Sequence, residues 1–185
     1  MRPWTSIWVK TKETIDEFKD SDWVQGQGLL LYFVLGLNGV GESEIPLLIA
    51  SDPSLQETFL ILFVLLLAGL FAGILFRAVW VNLIFYFGKI WKGQATKRNI
   101  DTVVALCLIP EIFRLINLTV SFIIHGNFKN VQISYALTII CLLLSFRILL
   151  IGLSRVQKFG YGISVLNVIV PQLVLGTLYY SIRGL

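Results

Sequence analysis

The chain has 185 residues, of which 56% are hydrophobic and 14% charged, with a formal net charge of +4. Soluble domains carry roughly 25% charged residues, and a mean hydropathy of +0.80 leaves more apolar side chains than a soluble fold of this length can bury. These figures exclude a disordered chain, a disulfide-stapled secreted module and a typical soluble enzyme, whereas five membrane spans of about 20 residues each would absorb the apolar residues. Cys107 and Cys141 both stand in apolar runs. They read as small buried hydrophobes, not as a disulfide framework or a metal site.

Residues 1–22 hold no apolar core of the kind a cleavable signal peptide needs. Trp8, Ile15 and Phe18 fall at helical spacing, with Lys12, Glu13, Asp16 and Lys19 mostly elsewhere. This pattern predicts an amphipathic helix at the membrane interface, with Trp4 and Trp8 at the headgroup boundary. Such a helix serves either as an anchor that orients the first span or as a docking surface for a cytoplasmic partner.

Five spans are expected in the remainder, residues 23–185. The first, Trp23 to Val40, contains Gln25, Gln27, Asn38 and four glycines, and so needs packing partners. The second runs from Phe59 to about Phe87. Asp52 with Pro53, or the box Ser54-x-x-Glu57, marks where its helix starts. The third, Thr102 to Ile124, is interrupted by Pro110. The fourth covers Val131 to Leu153 and the fifth Tyr161 to Ile182. Lys and Arg test this division. Arg2, Lys10, Lys12, Lys19, Lys89, Lys92, Lys97, Arg98, Arg155 and Lys158 fall on one side, and only Lys129 and Arg183 on the other. Positive loops stay cytoplasmic, so the N-terminus is expected inside and the C-terminus outside.

Four ionisable residues lie within these spans: Arg77, Glu111, Arg114 and Arg147. A charge at mid-membrane costs about 2.5–3.5 kcal/mol on insertion scales, so each needs a partner or a wet cavity. At 100° per residue, Cys107, Glu111, Arg114, Leu118, Ser121 and His125 share one face of the third span. Pro110 removes a backbone donor, frees the Leu106 carbonyl and is expected to kink the helix beside Glu111. Gly69, Gly73 and Arg77 recur every four residues, and the Gly-x-x-x-Gly pair invites close helix packing. Depth counted along the antiparallel second and third spans brings Arg77 level with Glu111, while Arg147 snorkels toward the cytoplasmic end. Three readings follow. Glu111 pairs with Arg77 or Arg114 and fixes register. The second span ends at Arg77 and residues 78–87 lie along the interface. Or three arginines against one glutamate leave a formal +2 that holds a lipid phosphate or another anion.

Catalytic patterns are missing. His125 is alone, and it reads as a boundary residue or a proton sensor. Neither a zinc set nor a Ser-His-Asp set can be assembled around it. Gly36-x-x-Gly39-x-Gly41 does not match a dinucleotide fingerprint, and no phosphate-binding Gly-Lys-Ser/Thr loop is present. The basic stretch Lys89 to Arg98 suits membrane-side anchoring better than nucleic acid. Enzymatic activity, cofactors, metals and nucleic-acid binding are therefore not expected.

Several segments resemble, in order, the Yip domain family, membrane proteins named for interaction with Ypt/Rab GTPases. Pro3-Trp4-Thr5-Ser6-Ile7-Trp8 with Lys12-Glu13-Thr14-Ile15 is similar to the opening of its short prokaryotic members. Lys92-Gly93-Gln94-Ala95-Thr96, leading through Val103-Val104-Ala105 to Pro110, resembles the family's loop and its proline-bearing third span. Ile151-Gly152-Leu153-Ser154-Arg155-Val156-Gln157 resembles its junction after the fourth span, and Pro171 suits the fifth. The resemblance implies an all-α bundle of five transmembrane helices and, for eukaryotic members, trafficking roles through Rab proteins and self-association. The resulting expectation is a multi-pass scaffold or adaptor, in the cytoplasmic membrane if the source is bacterial. Its partners would be the bilayer, an anionic lipid, a second copy or another membrane protein. The alternative is a small transporter or anionic-lipid-binding protein built on Arg77, Glu111, Arg114 and Arg147.

Overall fold

The computed structural model describes residues 3–48, 54–125 and 135–183, and every regular element among them is helical. The Asp52–Pro53 helix start, Lys129 and the side chain of His125 lie outside the described residues. Two short helices, α1 (Pro3–Val9) and α2 (Thr11–Phe18), lead through a 3-10 turn (Asp22–Gln25) into α3 (Gln27–Leu48). Then follow α4 (Leu55–Ile90), α5 (Lys97–Cys107), α6 (Glu111–His125), α7 (Tyr135–Gln157) and α8 (Tyr161–Arg183). Three stretches are long and apolar enough to cross a bilayer: Gln56–Ile90, Lys97–Val120 and Tyr135–Gln157. The apolar parts of α3 and α8 found among the described residues, Gln27–Val40 and Tyr161–Val174, are shorter.

The start of α4 follows the Ser54 box. Glu57 N–H donates to Ser54 Oγ and Ser54 N–H donates to Glu57 Oε2, which satisfies two donors at the helix end. With 36 residues, α4 is about 54 Å long, well beyond a bilayer core of about 30 Å. It continues past Arg77 without a break. Exposed apolar side chains crowd Phe59–Val79, and only Tyr86 and Ile90 follow. That band is about 30 Å tall.

Pro110 does more than kink a helix: it separates α5 from α6. Ile109 N–H donates to the Leu106 carbonyl, Glu111 N–H to Leu108 and Phe113 N–H to Pro110. The Leu106 carbonyl expected to be free is thus taken up by a tighter turn. Leu108 and Ile109 are buried. Non-helical backbone at membrane depth is tolerated only where protein covers it, and that condition is met here.

The core centres on α5. Its polar first turn carries Lys97, Arg98 and Asn99, whereas Ile100, Val103, Val104, Ala105 and Leu106 are all fully buried. Gly152 lets α7 come close, since a Cβ there would collide with Val103 Cγ1 and lie 3.2 Å from Ile15 Cδ1. This contact changes the reading of the N-terminal segment. Ile7 and Ile15 are fully buried in the same core, and Trp8 packs edge-on against Phe113 with ring centroids 5.8 Å apart. Phe18 and Trp4 both pack edge-on against Trp23. Much of the apolar stripe expected to face lipid is therefore covered by α5, α7 and the 3-10 turn.

The α3–α4 pair packs at backbone distance. A Cβ on Gly73 would strike the Tyr32 carbonyl, and one on Gly69 would lie 2.6 Å from Leu37 Cδ2. Gly69 and Gly73 face α3, and Gly36 faces them in turn: a Cβ there would collide with the Gly69 carbonyl oxygen and lie 2.8 Å from Gly73 N.

Candidate functional site

The intramembrane charges form two separate networks. In the first, Glu111 opens α6 and is 2% exposed. Arg114, one turn on, donates from Nη1 to Glu111 Oε2 at 2.6 Å, and its side chain is 11% exposed. Asn38 on α3 donates from Nδ2 to the Glu111 backbone carbonyl at 3.0 Å and to Oε2 at 3.1 Å. The carboxylate also sits in the first turn of α6, where the helix dipole favours negative charge. One buried anion thus receives an arginine, an amide and a helix end.

In the second network, Arg77 on α4 meets Asp101 on α5. Arg77 Nε lies 3.0 and 3.1 Å from the two carboxylate oxygens, and Nη2 bonds Oδ2 as well. Tyr32 on α3 donates its hydroxyl to Asp101 Oδ1 at 2.8 Å, and the Arg77 guanidinium lies 5.6 Å from the centre of the Tyr32 ring. Fork geometry on a carboxylate is the strong form of ion pair. Here it ties three helices together.

Arg77 therefore does not pair with Glu111. Asp101 directly precedes the third span expected from Thr102. In the structure Asp101 lies a turn inside α5, with its side chain 13% exposed. The charge count changes accordingly. Two arginines face two carboxylates, so the formal +2 expected at mid-membrane falls to +1, carried by Arg147. Arg147 is apart from both networks: it is exposed on α7 and pairs with no carboxylate among the described residues. Among the described residues no three His, Cys, Asp or Glu side chains gather where they could hold a metal ion.

The charged segments gather at one end of the bundle. Asp16 on α2 accepts Arg155 Nε from α7 at 2.9 Å. Asp22 pairs with Arg98, and Asn99 Nδ2 donates to the Lys19 carbonyl and to Asp20 Oδ1, both at 2.9 Å. Gln157, 1% exposed at the end of α7, joins the 91–96 loop to α7. Its carbonyl accepts Gln94 N–H and its Oε1 accepts Ala95 N–H, both at 3.3 Å. Gly88 and Gly93 make room for this side chain, since a Cβ on either would collide with it. Residues 3–22, 89–100 and 154–160, far apart in sequence, thus form one interlocked surface.

The Arg155 guanidinium holds the Asp16 carboxyl below its ordinary value of 3.8. A lowered carboxylate pKa stabilises the folded form above the unfolded value, and the contribution is lost as pH falls through the folded value. Wild-type protein should therefore melt higher than Asp16→Asn from neutral pH down to about pH 4, with the difference closing below that. Paired melting curves across this range check it. A constant difference at all pH values would show that Asp16 acts otherwise than by its charge.

Comparison with protein-family models, with curated proteins and with solved structures finds no match.

Proposed function

We propose that the chain is a multi-pass membrane scaffold or adaptor of the Yip type, without catalysis of its own. It would have five spans, the N-terminus in the cytoplasm and the C-terminus outside. α3 and α8 supply the two spans beyond the three long apolar stretches. The observation that carries this reading is the interlocked basic surface at one end, built from three segments that a set of mere connectors would leave independent. Pairing of Arg77 with Asp101 and of Arg114 with Glu111 also supports it over a transport or anion site in the membrane. A charge-balanced pair offers little to an incoming anion, and its loss would expose an unpaired buried charge.

Orientation is tested by single cysteines placed at Lys10, Lys97 and Lys158. The native Cys107 and Cys141 are buried and give little background. All three sites should react with a membrane-impermeant maleimide only after the cells are opened, while a cysteine at Lys129 should react from outside. Labelling of the first three in intact cells would reject the orientation. Activity is tested by reconstitution. Liposomes should show no protein-dependent anion flux, and a flux abolished by Arg77→Met would reject the scaffold reading.

A further inference from the structure

Where α2, α7 and α8 meet, a recess of about 360 Å³ opens at the basic end of the bundle. Lys12, Ser154, Arg155, Lys158, Phe159 and Tyr161 line it. The turn joining α7 to α8 is held in place from within. Ser154 Oγ donates to the Phe159 carbonyl at 2.7 Å, Phe159 N–H donates to the Ser154 carbonyl at 3.2 Å, and Phe159 is buried. Lys158 adopts a left-handed backbone, φ 58°, which ends α7 in the manner of a C-terminal cap. Lys158 and Tyr161 are thereby set on the rim of the recess by a fixed turn.

Three cations line this recess, and only one is neutralised. Arg155 pairs with Asp16 at 2.8 Å. No carboxylate among the described residues pairs with Lys12 or Lys158. α8 begins at the recess, and the residue before it, Gly160, has no side chain to cap the helix. The N–H groups of Tyr161, Gly162 and Ile163 find no acceptor among the described residues. Free amides at a helix start attract anions. Ile151, Phe159 and Tyr161 give the same recess an apolar side. Positive charge beside apolar side chains, at the start of a helix that exposes Ile163, Leu166 and Ile169 farther along, suits an anion that carries hydrocarbon.

We propose that this recess binds the phosphate headgroup of an anionic glycerophospholipid, with its acyl chains lying along α8. Basic pockets between membrane helices, on the side that carries the positive loops, recognise such headgroups. The site is separate from the Arg77 and Glu111 networks and does not depend on them.

Native mass spectrometry of the full-length protein in detergent tests this, with phosphatidylglycerol titrated against phosphatidylcholine of the same chain length. Phosphatidylglycerol should bind preferentially. The K12Q/K158Q variant should lose about fivefold in affinity for each lysine, or about 25-fold together. Both lysines are exposed, so its melting temperature should match wild type. A K92Q/K97Q control should retain wild-type binding, and excess inorganic phosphate should not displace the lipid. Equal binding of the two lipids would overturn the proposal, as would equal loss in both variants. Displacement by the excess inorganic phosphate would overturn it too, by assigning the recess to a free anion.

Discussion

Glu111→Gln is expected to lower stability by about 3–5 kcal/mol, because it removes the carboxylate that the buried Arg114 faces at 2.6 Å. The Arg114 side chain is only 11% exposed, so little water reaches it. Glutamine keeps the shape and one acceptor for Asn38, and the loss therefore reports charge more than packing. A second substitution locates the partner. Arg114→Met in the Glu111→Gln background should recover a large part of the loss, since an apolar pair of similar volume replaces a buried ion pair with little penalty. Arg77→Met in the same background should recover nothing and should add its own cost, because Arg77 belongs to Asp101. Unfolding of purified protein in mixed micelles measures wild type and the three variants. Recovery through Arg77 would put the pairing back where residue depth alone had placed it.

Gly36→Val should also be strongly damaging. A side chain there meets backbone on α4, at the Gly69 carbonyl and Gly73 N. Backbone cannot rotate away as a side chain can, so the helices must separate. Overpacking a close contact costs about 1–3 kcal/mol and sometimes more, and this contact involves the rigid part of both helices. Separation would also pull Tyr32 from Asp101, because Tyr32 lies one turn before Gly36 and its carbonyl sits against Gly73. Gly39→Ala is the internal control. Nothing lies within 4 Å of a Cβ at Gly39, so alanine should be neutral or stabilising by up to about 1 kcal/mol through helix propensity. Equal loss from both substitutions would refute the contact.

Much of the helical plan can be read from composition and periodicity. The Ser54 box, the break at Pro110 and the Gly69/Gly73 face all follow from local rules. Partner choice does not follow from them. Gly36 looks unremarkable within an apolar run, because the contact that requires it lies on another helix. Asn38 reads only as a weakness of the first span until Glu111 is placed beside it. Asp101 sits between a basic stretch and an apolar one, where sequence suggests a boundary, yet it lies within α5 and faces Arg77. Gln157 is a single polar residue near a helix end, and only the approach of Gly88 and Gly93 gives it a role. In each case the missing term is tertiary: a short-range pattern fixes which face is polar, but not which face it meets. The α1–α2 segment shows the same limit. Its stripe suits lipid and protein equally, and the gap beside Gly152 decides for protein.

The central claim is that the membrane charges lock the bundle while the basic end makes the protein's contacts. Native mass spectrometry of wild-type chains ejected directly from their own membranes tests it most directly. The account predicts an assembly of fixed stoichiometry, either of this chain with itself or with another membrane protein, carrying no small soluble anion. A single 20.9 kDa chain holding a soluble anion that disappears with Arg77→Met would contradict it.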